Sequence, residues 1–407
     1  MPKTERLYYT DCYRRDFEAR VIHIEPEARG VRVTLDRSAF YPESGGQPRD
    51  YGTLDGVPVL DVIAQEDAIA VVLARKPAVE VVRGSIDWAR RFDHMQQHTG
   101  QHVLSAAFER AARSKTVSFH LGAEASSIDL DTDRLTRRQI DEAEELANHV
   151  VFEDREVRIL FRSADEASRM DLRKPAERAG EVRLIEVADF DLSACGGTHV
   201  RRTGEIGLIS ARKHERIRAQ TRVEFVCGRR ALLAARRDFL GLSEAGRLLS
   251  GGLEQVPELV TKQADELRAA QRAREKLVTR LAEYRARELA AAAPEKNGRR
   301  IIHHVFAADE LVEAKMIAHA VQRLPATIGL LAVGPAEEPS GSAGRATTLF
   351  FAQSTGGSTD MGALLKRTVA EFQGKGGGTC DFAQGGGIEA EKLEAALTWA
   401  EKQLEPA

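Results

Sequence analysis

Two short segments far apart in sequence constrain this fold most: H-T-G-Q-H at His98–His102 and C-G-G-T-H at Cys195–His199. Together they offer three imidazoles and one thiol, the donor set of a tetrahedral zinc site. In each segment the outer donors are spaced i, i+4. On a helix that spacing puts both side chains on one face, about one turn apart. Phe92 to Ala112 reads as a helix, so His98 and His102 can chelate one ion. Gly196-Gly197 argues against a helix in the second segment. A glycine turn can instead fold Cys195 and His199 back toward one centre, because glycine tolerates positive φ. A histidine pair alone on a helix is ordinarily a satisfied polar pair. With no other Cys/His cluster in the chain, the two segments are expected to share one ion. So long a gap between donor pairs does not suit a small metal-nucleated module. Ligation by three histidines and a single thiol is more typical of catalytic than of structural zinc.

Elements around the two segments follow from local pattern. Before residue 88, V-I-H-I-E, V-R-V-T-L, V-L-D-V-I-A and A-V-E-V-V are short β-branched runs bounded by turn residues, which suggests a small barrel. E-S-G-G-Q is a turn between strands, and Gly45 and Gly46 allow it to approach a ligand closely. Asp87 is placed to cap the donor helix. S-F-H-L-G and S-I-D-L read as a strand pair. Thr136 with Gln139 and Ser163 with Glu166 read as capping boxes opening helices. Arg229 to Ala293 is helical, and Val260, Gln263, Leu267, Ala270, Arg274, Leu277, Leu281, Tyr284 and Glu288 form an imperfect coiled-coil seam. That seam can pack within the chain or pair two chains. G-K-G-G-G-T at Gly374–Thr379 fits neither phosphate-loop nor dinucleotide patterns and reads as flexible or phosphate-contacting loops. The expected architecture is multidomain α+β. It comprises an N-terminal small β-barrel (1–88), an α+β zinc-binding domain (89–228), a long helical coiled-coil-like linker (229–297) and a C-terminal α/β domain (298–407).

No apolar run approaches a membrane span, and the N-terminus lacks the apolar core of a signal peptide. Four scattered cysteines in a 407-residue chain suit a reducing cytosol, and a cytoplasmic location is expected. The net charge of -3 does not advertise nucleic acid, but Val200–Arg237 holds eleven Lys/Arg against three Glu. A stripe of that kind attracts phosphates. The alternative is a solvated face, but the position directly after C-G-G-T-H favours RNA contact.

M-Q-Q-H-T-G-Q-H-V-L-S at Met95–Ser105 and C-G-G-T-H-V at Cys195–Val200 resemble the editing domain of alanyl-tRNA synthetase, and still more its free-standing AlaX-type relatives. F-Y-P-E-S-G-G-Q-P at Phe40–Pro48, with D-Y-G-T-L at Asp50–Leu54, agrees. G-K-G-G-G-T and A-Q-G-G-G at Ala383–Gly387 resemble the C-terminal domain, DHHA1, that these synthetases share with DHH-type phosphoesterases. No D-H-H element occurs, so phosphoesterase chemistry is not expected. The order of the four segments is that of the long AlaX form.

The resemblance implies hydrolysis of the aminoacyl ester of tRNA(Ala) mischarged with serine or glycine, with Zn2+ on His98, His102, Cys195 and His199. Zinc can supply a water of lowered pKa or position the substrate; four protein donors leave no open place in the usual catalytic pattern. Thr99, Gln101, Ser118 and Gln47 are candidates to meet the serine hydroxyl, and His120 is a candidate acid/base group. Arg201, Arg202, Arg212, Lys213, Arg216 and Arg218, with Lys375 in the C-terminal domain, are candidates for tRNA phosphates. A homodimer would form through the helical linker or the C-terminal domain. The rival expectation is a non-catalytic, zinc-containing tRNA-binding protein.

Overall fold

Six strands near the N-terminus pair antiparallel and close on one another. In spatial order they are Asp16–Glu27, Gly30–Leu35, Ala68–Leu73, Val57–Gln65, Gly52–Leu54 and Val81–Ile86, the last pairing back onto the first. In this computed structural model the described residues are 3–65, 67–175, 180–334 and 347–404. They fall into two compact units, Met1–Ala245 and Gly246–Ala407. Val33, Leu35, Phe40, Leu54, Ile69 and Leu73 fill the barrel. Ala68–Leu73 is buried at every residue. It lacks the period-two alternation that marks a half-exposed strand, so the sequence does not single it out.

Helix α1 (Trp88–Ala112) follows the barrel, and Asp87 caps it by accepting from the Arg90 amide. It lies against a four-stranded sheet ordered Ile209–Ile217, Gln220–Cys227, Ser126–Leu130, Thr116–Leu121. Helices α2 (Arg137–Phe152) and α3 (Ala164–Ser168) open with the Thr136–Gln139 and Ser163–Glu166 capping boxes. A three-stranded sheet, Val157–Ser163, Glu181–Val187 and Asp191–Ala194, delivers the chain into C-G-G-T-H.

The helical stretch is two helices, α4 (Gly228–Leu248) and α5 (Val256–Ala292). Pro257 stands in the first turn of α5, where its missing N–H costs nothing. The coiled-coil seam does not pack within the second unit: Leu267, Leu277, Leu281 and Tyr284 are each 60% or more exposed. The buried face of α5 is Ala282, Ala286 and Ala290, set against helix α6 (Leu311–Val321). Alanines let the two helices approach closely, so the chain covers its smallest face and leaves the larger apolar one bare.

The rest of this unit is a six-stranded sheet ordered Glu295–Lys296, Arg299–Phe306, Thr327–Val333, Thr348–Gln353, Phe382–Gly386, Lys375–Gly378, with helices α7 (Met361–Glu371) and α8 (Leu393–Lys402). The pair Arg299–Phe306 and Thr327–Val333 is parallel. G-K-G-G-G is therefore an edge strand and not a flexible loop. A Cβ on Gly378 would lie 2.3 Å from Ala383 Cα in the partner strand. The glycines serve close packing. No helix among the described residues is long and apolar enough to cross a membrane.

One buried ion pair ties α1 to the barrel. Arg91 and Asp50 both have fully buried side chains. Arg91 Nε donates to both Asp50 oxygens at 3.0 and 3.1 Å, Nη1 to the Cys12 carbonyl at 3.0 Å and Nη2 to the Ala39 carbonyl at 2.6 Å. Asp50 Oδ2 also accepts from the Tyr41 amide at 2.6 Å. Removing one partner strands a buried charge, which costs about 3–5 kcal/mol. Arg91→Met is expected to lower the stability of the first unit by that amount in urea denaturation. A loss below about 1 kcal/mol would contradict this account.

Candidate metal centre

Three parts of the first unit meet at the two donor segments. Helix α1 brings His98 and His102, the loop after Asp191–Ala194 brings Cys195 and His199, and the Ser44–Gln47 turn of the barrel brings Gln47. One donor atom from each of His98, His102, Cys195 and His199 lies within 4.8 Å of the others. Cys195 Sγ is 3.4 Å from His98 Nε2 and 3.3 Å from His199 Nε2. The Gly197 amide donates to the same sulfur at 3.4 Å. Gly197 has no substitute: a Cβ there would lie 2.1 Å from His98 Cε1 and 2.9 Å from Gln47 Oε1. Gly45 and Gly46 hold the barrel turn at φ of 55° and 83°.

Each imidazole is held by its other nitrogen. His98 Nδ1 is 2.9 Å from Gln47 Oε1, His102 Nδ1 is 2.9 Å from Asp191 Oδ2, and His199 Nδ1 is 3.2 Å from Thr99 Oγ1. The Gln47 oxygen and the Asp191 carboxylate accept from Nδ1 of His98 and His102, which leaves their Nε2 lone pairs for a common centre, and the Thr99 hydroxyl can accept from His199 Nδ1 in the same way. The acceptors are anchored in turn. Gln47 Oε1 also accepts from the Thr198 amide at 3.0 Å, and its Nε2 donates to Thr198 Oγ1 at 2.9 Å. Thr99 Oγ1 accepts from the Val200 amide at 3.1 Å. Asp191 accepts from Arg173 Nε at 2.5 Å and from Ser193 Oγ at 3.1 Å.

The electrostatics agree with a metal-ready donor set. Burial alone would raise the Cys195 thiol, but the surrounding His98, His199 and His102 imidazoles hold it well below an ordinary thiol. Burial lowers His98, and lowers His199 to about 3. His102 moves the other way: burial opposes its charge, but Asp191 and Cys195 raise it. Burial would raise Asp191, yet His102 and Arg173 keep it down to about 2. A lowered thiol beside two imidazoles kept neutral by burial is the direction that metal binding requires, and an ion bound there would compete with the proton that Asp191 and Cys195 favour on His102.

A cavity of about 350 Å³ opens beside the cluster, its wall including Tyr41, Gln101, Thr116, Phe119 and Lys174. Gln101 faces it, with its Nε2 donating to Ser105 Oγ at 2.9 Å. Gln47 and Thr99 contact Nδ1 of His98 and His199, and neither is among the residues that line the cavity. Ser118 lies at the rim, its hydroxyl donating to Asp129 Oδ2 at 2.6 Å. His120 is not among the residues that line the cavity. It is exposed and shares the Ser118 face of its strand, opposite Phe119, whose ring lies 5.3 Å from that of His98.

The basic stripe is extensively neutralised. Arg201 pairs with Asp11, Arg202 with Asp154, Arg212 with Asp238, Lys213 with Glu215 and Arg216 with Asp133. Arg218 sits at a turn with φ 58°, and Lys375 is exposed on the edge strand of the second unit. Sequence reasoning missed Asp191. The available signal was a carboxylate in D-L-S-A, four residues before the candidate ligand Cys195, where Asp191 and Ser193 turn inward and are buried.

Known proteins bear on the same residues. The family described as "Threonyl and Alanyl tRNA synthetase second additional domain" matches residues 182–223, which hold Asp191, Cys195 and His199. The DHHA1 domain family matches residues 275–405. The chain is 29% identical to the alanyl-tRNA editing protein AlaX-L of Pyrococcus horikoshii, over 94% of each chain. It is 34% identical to the alanyl-tRNA editing protein Aarsd1-A of Xenopus laevis, over 64% of this chain and 68% of that one. It is 32% identical to the alanine–tRNA ligase of Pyrococcus abyssi, over 98% of this chain but only 43% of the ligase.

Partners that orient metal-ligating histidines typically contribute 10–100-fold to metal affinity. Asp191→Asn is therefore expected to weaken Zn2+ binding by about that factor in a chelator competition. Undiminished affinity would show that His102 does not depend on the carboxylate.

Proposed function

The chain belongs to the alanyl-tRNA editing protein family in its long AlaX form. From that premise we propose that it hydrolyses the ester of tRNA(Ala) mischarged with serine, and secondarily with glycine, with Zn2+ held by His98, His102, Cys195 and His199. The observation that carries this is the trio of Nδ1 contacts, which turns three Nε2 atoms and one sulfur inward beside a cavity. Bound there, the ion supplies a fixed Lewis acid that can hold the aminoacyl group or a hydrolytic water.

The chain's own residues do the rest. Gln101 and Thr116 line the cavity and both hydrogen-bond to Ser105 Oγ. The Gln101 amide is the group placed to meet the serine hydroxyl. A site built to hydrogen-bond a hydroxyl rejects an analogue lacking one by about 10⁴–10⁵ at best, which spares correctly charged Ala-tRNA(Ala). Phe119, against His98, shields one side of the cluster from water. Contacts to the tRNA body fall to the exposed arginines of the stripe and to the second unit, including Lys375. Exposed ion pairs are worth only about 0–1 kcal/mol, so phosphates can displace the carboxylates of the stripe.

The test is deacylation. The protein should hydrolyse Ser-tRNA(Ala) far faster than Ala-tRNA(Ala), and a zinc chelator or Cys195→Ser should abolish the difference by removing activity. Equal rates on both substrates, or tRNA binding without hydrolysis, would overturn the proposal. Removal of the second unit, Gly246–Ala407, should raise KM for Ser-tRNA(Ala) while kcat is largely kept. A collapse of kcat with unchanged tRNA binding would place catalytic groups in that unit.

A further inference from the structure

The charge that remains free near the metal centre is not in the basic stripe. Lys115 and Lys174 both line the cavity beside the ligand cluster, and both are exposed. Neither ammonium has a carboxylate ion-pair partner among the described residues. Arg173, the third cation of that wall, is spent on Asp191. Glu109 is the one carboxylate among the lining residues. Five stripe cations, by contrast, each have an acidic partner.

Backbone contacts hold both lysines in place. The Lys115 amide donates to Asp131 Oδ1 at 2.6 Å where the strand carrying Phe119 begins. Lys174 bridges to Ser193, and its carbonyl accepts from the Ala194 amide at 3.2 Å, next to ligand Cys195. Its Nζ stands 6.0 Å from the centre of the Phe119 ring. The cavity, about 350 Å³, falls in the range of roughly 300–1,000 Å³ that buries a whole small ligand. That exceeds an amino-acid side chain and admits part of a nucleotide. Two free ammonium groups, an aromatic wall and a cavity ending at the ligand cluster form the combination that tracks single-stranded nucleic acid.

We propose that Lys115 and Lys174 bind backbone phosphates of the unpaired 3′ end of the RNA, threading its terminal ester toward the ligand cluster. This rests on the editing function proposed above, and its test separates the two. The probe is a labelled single-stranded RNA oligonucleotide ending in C-C-A with a free 3′-hydroxyl, titrated by fluorescence anisotropy across a salt series. Lys115→Gln/Lys174→Gln should weaken binding to the zinc-loaded protein by about tenfold. It should also flatten the log–log salt dependence by about 1.4, roughly 0.7 for each single-strand phosphate that is no longer neutralised. Lys115→Arg/Lys174→Arg should retain both. With Ser-tRNA(Ala), the Gln pair should raise KM. An unchanged affinity and slope in the Gln pair would overturn the proposal, even if the wild type deacylates normally. A wild type that fails to deacylate, yet binds the oligonucleotide through these lysines, would remove the editing function and leave the phosphate site standing.

Discussion

One buried amide joins three parts of the chain. Gln47 accepts from His98 Nδ1 and from the Thr198 amide through one oxygen, and donates to Thr198 Oγ1 through its nitrogen. The barrel turn, the donor helix and the glycine loop therefore share a side chain with no exposed surface. Below it, Arg91 and Asp50 lock the same barrel segment to the helix two turns before His98. Gly197 must lack a side chain because His98 and Gln47 occupy its space. In this arrangement the barrel acts as a wall of the candidate metal centre, supplying a part of it that the donor helix cannot.

The three imidazoles are held by three different kinds of polar group: an amide at His98, a carboxylate at His102 and a hydroxyl at His199. Of these only Asp191 carries charge, and His102 alone is pushed toward its protonated form. The asymmetry makes His102 the most basic of the three donors. Negative charge from Asp191 is partly cancelled by Arg173, so the pocket does not accumulate carboxylate charge where an RNA end would enter.

The donor set is legible in the sequence because each pair is local: four residues of helix, or four of glycine loop, bring two donors together whatever the tertiary fold. Caps at Asp87, Thr136 and Ser163 are legible for the same reason. The residues that orient the donors are legible only as polar neighbours. Thr99 and Gln47 look like substrate contacts until the register of α1 and the path of the barrel turn put them at Nδ1 atoms. His120 is not among the residues that line the cavity although it shares a strand face with Ser118, which is, and no motif specifies which residues of the strand the cavity takes. The seam of α5 fails to close on its own unit because the alanine stripe offers α6 a closer approach, a competition between two faces of one helix that spacing does not decide. Free charge is the least legible property: eleven cations in one stretch outweigh two lysines by count, but tertiary pairing cancels most of that excess.

The most direct test of the central claim reads the donor atoms themselves. X-ray absorption at the zinc edge of the zinc-loaded protein should show one sulfur at about 2.3 Å and three imidazole nitrogens at about 2.0–2.1 Å. In Cys195→Ser the sulfur shell should vanish. A shell with no sulfur in the unaltered protein, or one with fewer than three imidazoles, would contradict the arrangement in which Gln47, Asp191 and Thr99 turn three Nε2 atoms toward one ion.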